Sequence, residues 1–210
     1  KLLSLVSLDK ALETAHAMGI TTLNEPERYG LALVLGGGEV KPLDMATAFS
    51  VFANGGTYRP PISILKVETS SGTILDEHKA GTDEKDVLDP AIAYQITDIL
   101  SDNNARSAVF GPRSSLYFPK HRVAAKTGTT QEFHDAWTVG YTPDISTAVW
   151  VGNNDNTGMK NADGSVVAAP IFHTFMQSAL DSMENHEFVK PDSLKTVTVD
   201  KLSNKLPTDS

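Results

Sequence analysis

An α/β fold of the α+β kind, with an antiparallel sheet covered by helices, is what this sequence of 210 residues predicts. Three observations carry the prediction. From Arg122 to Val151 the chain passes through three strand-like segments in immediate succession, the last two joined at Thr142-Pro143-Asp144, a turn with proline where its fixed φ fits. Ala168, Ile171, Phe172, Phe175, Met176, Ala179, Leu180 and Met183 form an apolar stripe at helical spacing with Pro170 near its start, and such a helix should lie on the sheet. Pro42 and Pro90 each occupy the first position of a further helix, ahead of more apolar periodicity.

In chain order, Leu8, Ala11, Leu12, Ala15 and Met18 recur at helical spacing between Ser7, an N-cap, and Gly19, a residue suited to the left-handed C-terminal position. Leu31 to Leu35 reads as a short buried strand or a tight segment before Gly36-Gly37-Gly38. Those glycines are not a phosphate loop, since no Gly-Lys-Ser/Thr follows and Glu39 and Asp44 would repel an anion. The helix opened by Pro42 runs to Asn54-Gly55-Gly56, with Leu43, Ala46, Thr47, Phe49, Ser50 and Ala53 as its expected core face. Thr57 to Ile74 predicts a β-hairpin around Ser70-Ser71-Gly72, followed by a solvated loop over Asp76 to Asp86. Asp89 caps a helix carrying Ile92, Ile96, Ile99 and Leu100, expected to stop at Ser101-Asp102-Asn103-Asn104, with mostly loop from Ala105 to His121. Asn153 to Val167 reads as a solvent loop without calcium-loop spacing. After Glu184 the chain turns polar, and the tail holding Thr196-Val-Thr-Val199 is a loose strand or linker.

Composition narrows the function. Forty per cent hydrophobic content is enough to bury a core, and a net charge of −8 argues against nucleic acid or an anionic membrane surface, which need clustered Lys and Arg. With no cysteine there is neither a disulfide nor a thiolate metal site. Six histidines without a His-x-His or His-Glu-x-x-His pattern predict no metal, and no cofactor motif is present. No run of about 18 apolar residues exists, and Lys1-Leu-Leu-Ser-Leu-Val is too short for a signal sequence. The chain opens within an apolar, structured segment, where a free terminus would ordinarily be polar.

The chemistry centres on Lys126-Thr127-Gly128-Thr129-Thr130, at the end of the first of the three strands. Gly128 weakens a strand interior and is expected where something approaches the backbone closely. Together with Asp135-Ala-Trp-Thr-Val-Gly-Tyr-Thr-Pro143, this run resembles the Lys-Thr-Gly strand and its successors in the penicillin-binding transpeptidases, particularly the bifunctional (class A) peptidoglycan synthases. Thr138 stands where that family commonly has an aromatic. The likeness extends through LGGGEVKPLDMATAFSVFANGG (35–56) and SDNNARSAVFG (101–111). It covers most of residues 1–185, which would form the C-terminal part of the transpeptidase domain, with 186–210 as a tail or linker.

The resemblance implies a β-lactamase/transpeptidase-like fold, present as a partial domain, and a D,D-transpeptidase that cross-links peptidoglycan stem peptides by serine acyl transfer. It implies stem peptides and β-lactams as ligands, and a place on the extracytoplasmic face of the bacterial membrane, anchored by an upstream segment. Carried over residue by residue, Lys126 positions and electrostatically supports acyl transfer, and the Thr127 and Thr129 hydroxyls bind a substrate or β-lactam carboxylate. The Thr129 N–H supplies one oxyanion-hole donor, and Gly128 and Thr130 complete the substrate-binding run.

That chemistry needs a Ser-x-x-Lys pair and a Ser-x-Asn motif as well. Ser63-Ile-Leu-Lys66 and Ser101-Asp102-Asn103 match the strings but not the setting. A nucleophile and its lysine must be neighbours on a helix, whereas Ser63 and Lys66 fall in an alternating segment where i and i+3 face opposite ways. Ser101-Asp102-Asn103 has the look of a helix end. The opening Lys1-Leu-Leu-Ser-Leu-Val resembles the segment directly after Ser-x-Asn in the bifunctional enzymes, so both true motifs are expected upstream, and the upstream part of the same domain is an expected partner. One oxyanion donor is worth about 2.7–4 kcal/mol, so these residues alone are expected to be inactive. Without the packed upstream part, an apolar patch should be exposed.

Two other classes of function have some support in the residues. A Ser-His-Asp hydrolase using His134 and Asp135 lacks a Gly-x-Ser-x-Gly elbow, and adjacent strand residues diverge; His134 is more simply a loop residue at the rim of the site. A non-catalytic β-lactam- or peptide-binding sensor domain of the same fold is the alternative from a different class.

Overall fold

The computed structural model describes residues 1–203, 205 and 206. Its centre is a three-stranded antiparallel sheet in sequential order, β5 (Ala124–Thr129), β6 (Asp135–Tyr141) and β7 (Ser146–Gly152). Ahead of it lie α1 (Leu2–Val6), α2 (Leu8–Ala17), α3 (Pro26–Tyr29), α4 (Pro42–Ala53), the short strands β1 (Thr57–Tyr58), β2 (Lys66–Glu68), β3 (Ile74–Glu77) and β4 (Lys85–Asp86), and then α5 (Pro90–Ser101) and α6 (Asn103–Phe110). A π turn over Gly164–Ala168 leads into α7 (Ala169–Leu180). The α+β class and the three consecutive strands are as the sequence predicts.

Each face of the sheet has its own cover. Residues directly opposite across antiparallel strands share a face, so Ala125, Thr127 and Thr129 align with Gly140, Thr138 and Ala136. This face carries α7: Phe172 and Met176 are fully buried, and a side chain at Gly140 would collide with the Phe172 ring at 2.6 Å. Ala124, Lys126 and Gly128 align with Tyr141, Val139 and Trp137 on the other face. There Ser146 donates to the Ala46 carbonyl of α4 at 2.7 Å, and the buried Tyr141 and Thr97 hydroxyls meet at 2.9 Å, joining α5 to the sheet. Burial pushes the Tyr141 hydroxyl pKa up to about 12. A second core forms around Leu12, Met18, Ile20, Leu23, Tyr29, Ala48 and Val51.

Caps follow the sequence closely. Ser7 accepts from the Lys10 N–H, Gly19 takes φ +100°, and Asp89 accepts from the Ala91 N–H at 2.7 Å. Other expectations are corrected. Of the two readings of Leu31–Leu35 the tight segment holds, as a 3₁₀ turn, and the buried strand does not, since Leu31, Val34 and Leu35 are exposed. The buried face of α4 is Asp44, Thr47, Ala48 and Val51, while Leu43 is exposed. The face is rotated because Asp44 is satisfied inside, accepting from the Thr21 N–H at 2.7 Å and hydroxyl at 2.6 Å. In α5, Ala93 and Thr97 are buried and Ile92 and Ile99 are exposed.

Pro60-Pro61 cannot donate to a ladder, so the hairpin begins only at Lys66, and Thr57–Tyr58 pairs instead with Lys85–Asp86. The expected loop from Asp76 to Asp86 therefore has strand at both ends. Asp102 does not merely end α5. Its carboxylate accepts from the Ala105 N–H at 3.0 Å and starts α6 where loop was expected. The loop expected to Val167 ends early, since Asp163 accepts from the Ser165 and Val166 N–H groups and opens the π turn. In α7, Phe172, Met176 and Leu180 face the core, whereas Ile171 and Phe175 are exposed.

Thr196–Val199 forms no strand. Residues past Glu184 still pack: His186 lies 2.7 Å from Asp144, and Phe188 meets the Tyr141 ring edge-on with the Arg122 guanidinium over its own ring. Within the tail at 186–210, Asn204 and residues 207–210 lie outside the described residues.

Candidate active site

Lys126-Thr127-Gly128-Thr129 forms the last four residues of β5, which pairs with β6 and, among the described residues, has no strand on its other side. The direction of each backbone group follows from the pairs that extend the ladder. The Thr130 N–H donates to the Asp135 carbonyl at 3.1 Å, and the Thr142 N–H to the Ile145 carbonyl at 2.9 Å. With a period of two, residues 124, 126 and 128 turn their backbone groups toward β6, and 125, 127 and 129 turn theirs to the open edge. The Thr127 and Thr129 N–H and carbonyl groups are thus presented outward, and a ligand laid along β5 would meet them as a strand would.

Side chains of the run divide between the faces. Lys126 is exposed on the α4 side of the sheet, and its ammonium donates to the Thr127 carbonyl, which brings the cation to the open edge. Thr127 and Thr129 lie on the α7 side. The Thr129 hydroxyl accepts from the Gly164 N–H at 3.0 Å and keeps its own proton available. Thr130 is differently placed: its hydroxyl donates to Asp135 at 2.9 Å and accepts from the Asp135 N–H at 2.8 Å, closing the turn over Gln131–Phe133. Lys126, Thr127 and Thr129 therefore flank one edge, while Thr130 braces the strand end.

The close approach expected at Gly128 is made by Gly164. A Cβ at Gly164 would fall on the Trp137 carbonyl oxygen and within 2.6 Å of the Gly128 carbonyl oxygen, so the π turn lies directly on the backbone of β5 and β6. At Gly128 itself a Cβ would meet only the Trp137 Cβ, at 3.4 Å. Thr138, where an aromatic is common, is fully buried and donates to the Gly164 carbonyl at 3.1 Å. Thr129 and Thr138 together hold both backbone groups of Gly164. Sequence reasoning missed this partner, for Gly164 lies 35 positions from Thr129 in a stretch with no periodicity.

The other strings sit elsewhere. Ser63 occupies an exposed bend, and Lys66, the first residue of β2, pairs with Glu68 at 2.6 Å. Ser101 ends α5 and accepts from Arg122 Nε at 2.9 Å. His134 lies beside the strand end, its Nδ1 2.6 Å from the Asn156 carbonyl. Among the described residues no group of three or more His, Cys, Asp or Glu side chains could hold a metal ion, and no helix is long and apolar enough to cross a membrane.

Known proteins carry the same architecture. The family model described as the penicillin binding protein transpeptidase domain matches residues 28–177. Penicillin-binding protein 1A of Clostridium botulinum (strain Langeland) and penicillin-binding protein 1A/1B of Bacillus subtilis (strain 168) are each 34% identical to this chain, over 99% and 95% of it. The chain spans about a quarter of their length, 25% and 23% respectively. The solved structure of PonA1 from Mycobacterium tuberculosis in complex with penicillin V is similar at a TM-score of 0.73 and 30% identity, covering 86% of this chain and 52% of that one. Penicillin-binding protein 1A from Haemophilus influenzae gives a TM-score of 0.76 over 99% of this chain and 36% of that one, at 22% identity, a likeness of fold alone. With the family model matched across most of its length and relatives of the 1A type aligned nearly end to end, the chain belongs to the penicillin-binding protein transpeptidase domain family.

Proposed function

We propose that residues 1–185 are the C-terminal part of a serine D,D-transpeptidase domain that cross-links peptidoglycan stem peptides, with the nucleophile supplied from upstream sequence. In that reaction a serine hydroxyl adds to the carbonyl carbon of the donor peptide. The bond to the terminal D-amino acid breaks, and the serine proton leaves with the new amine. The acyl group then passes from serine to the amine of a second stem peptide, which gives up one proton as the serine hydroxyl is restored. Lys126, beside the substrate carboxylate, stabilises the negative charge that grows at the acyl centre in the transition state. The Thr127 and Thr129 hydroxyls take that carboxylate, and the Thr129 N–H points to the carbonyl oxygen as one of two oxyanion donors. Gly128 keeps the sheet face beside Lys126 clear of a side chain, and Thr130 holds the strand end in place.

The observation that carries this proposal is the open edge of β5, where an exposed cation and the backbone groups of Thr127 and Thr129 converge. The relatives' 1A class favours a synthase over a sensor domain. On the same grounds β-lactams are inhibitors of the site, the extracytoplasmic membrane face is its location through an upstream anchor, and the upstream part of the domain is its partner. The exposed Leu2, Leu5, Val6, Leu31, Val34 and Leu35 support such a partner. Residues 1–185 alone are proposed to be inactive, since Ser63 and Ser101 are both tied to settings unlike a nucleophile's.

Peptide mapping of the full-length protein after reaction with a fluorescent penicillin tests the assignment. The adduct is expected on a serine upstream of Lys1, and an adduct on Ser63 or Ser101 would overturn it.

A further inference from the structure

Two tryptophans share the face that carries Lys126. Trp137 stands opposite Gly128 across β5 and β6, and Trp150 stands opposite Trp137 across β6 and β7. Their ring centroids are 6.5 Å apart, tilted by 51°. Trp150 has a glycine where a side chain would crowd it. A Cβ at Gly152 would come within 2.5 Å of the Trp150 ring, so this indole lies over the strand because position 152 is empty. Gly128, on the edge strand opposite Trp137, adds no side chain to this face, and a Cβ there would make ordinary contact with the Trp137 Cβ at 3.4 Å.

The polar end of Trp150 is already satisfied. Its indole N–H donates to one oxygen of Asp135 at 2.8 Å, and the other oxygen of that carboxylate accepts the Thr130 hydroxyl at 2.9 Å. Both carboxylate oxygens are thus engaged, and one chain of hydrogen bonds runs from the last threonine of the Lys-Thr-Gly-Thr-Thr run to Trp150. What the pair leaves open is apolar ring surface, with Trp150 37% exposed. At its other end the same face is covered by α4, through Ser146 and Ala46.

We infer that Trp137 and Trp150 form an aromatic shelf beside Lys126 and Gly128 that takes the apolar or aromatic acyl side chain of the acylating ligand, with Asp135 as the residue that positions it. The inference rests on the proposed function, because it needs a ligand lying along β5. Indole faces favour stacked or edge-on contact with flat apolar groups, and a shelf whose N–H is consumed internally selects for apolarity rather than for hydrogen bonding. A penicillin with a phenoxymethyl side chain should use the shelf, and 6-aminopenicillanic acid, which has no side chain, should not.

The test measures second-order acylation rate constants for both compounds in the full-length protein and compares their ratio among wild type, Trp150→Ala, Trp150→Phe and Asp135→Asn. In Trp150→Ala the preference for the phenoxymethyl compound is expected to fall about three- to tenfold, the size of an aromatic pair's contribution. Trp150→Phe should keep most of the preference, and Asp135→Asn should lose part of it. If Trp150 serves only as packing, the melting temperature falls and both compounds slow alike, so an unchanged ratio overturns the inference. Absence of any acylation of wild type by either compound would overturn the proposed function and this inference with it. Should Trp150→Ala fail to fold, the ratio in Trp150→Phe and Asp135→Asn decides: no change in Asp135→Asn counts against the shelf.

Discussion

The β5 edge and the β2–β3 ribbon both carry a lysine within a recognisable string, Lys126-Thr-Gly128 in one and Ser63-Ile-Leu-Lys66 in the other, yet they are built in opposite ways. Behind Lys126 lie Ala124 and Ala125, both buried, with α5 against one face and the Gly164 turn and α7 against the other. Every residue of β2 and β3 is exposed, and among the described residues the ribbon pairs only with itself. A lone two-stranded hairpin is marginally stable in water, so it cannot hold a nucleophile and its base within a fraction of an ångström. A strand locked from both faces can. Motif strings acquire meaning from the rigidity of their setting.

Paired truncations give the largest expected contrast. Phe172→Ala should remove about 3–5 kcal/mol of stability, as for other buried aromatics, whereas Leu75→Ala in the ribbon should change it by less than about 0.5 kcal/mol. Denaturant melts of the full-length protein measure both. Equal losses would mean that the ribbon is packed in the whole protein as firmly as the sheet.

Gly164→Ala probes the lock itself. Its added methyl would fall on the Trp137 and Gly128 carbonyl oxygens, which cannot yield as a side chain can, so a loss of about 1–3 kcal/mol is expected. Because the Gly164 N–H holds the Thr129 hydroxyl, penicillin acylation should slow in the same variant. A stable variant with normal acylation would separate the π turn from the site.

A smaller effect should come from Asp163, whose carboxylate opens that turn. The Ser165 hydroxyl, above all, holds its pKa below the usual 3.8. A depressed carboxylate pKa contributes stability above the unfolded value, and the contribution is lost as pH falls through the folded one. Asp163→Ala should therefore cost about 1 kcal/mol at neutral pH, as a lost cap does, with the difference from wild type shrinking below about pH 4. A difference independent of pH would assign the effect to packing.

How much of this was legible depends on whether the signal was local. The three strands, the turn at Pro143 and the caps at Ser7 and Asp89 rest on residues a few positions apart, and the structure agrees with them. Asp44 was not legible as a core residue, because its partner Thr21 lies 23 positions away and nothing in a helical stripe announces a satisfied buried carboxylate. Asp102 was ambiguous in a different way: the same residue types that end one helix start another. In the candidate site, sequence named the edge run, but not that Thr130 turns inward to Asp135, nor that Gly164 rather than Gly128 is the glycine with no room for a methyl. Both depend on the hairpin register and on a turn that folds back from the far end of β7.

The most direct measurement is the rate of penicillin acylation of Lys126→Ala in the full-length protein, taken beside its melting temperature. A cation at a strand edge supporting charge that grows in the transition state predicts acylation slowed on the order of 10²-fold. Stability should hardly move, since an exposed lysine contributes little to it. Wild-type acylation by this variant, with or without poorer solubility, would contradict the account and leave Lys126 a solvated edge residue that discourages strand pairing.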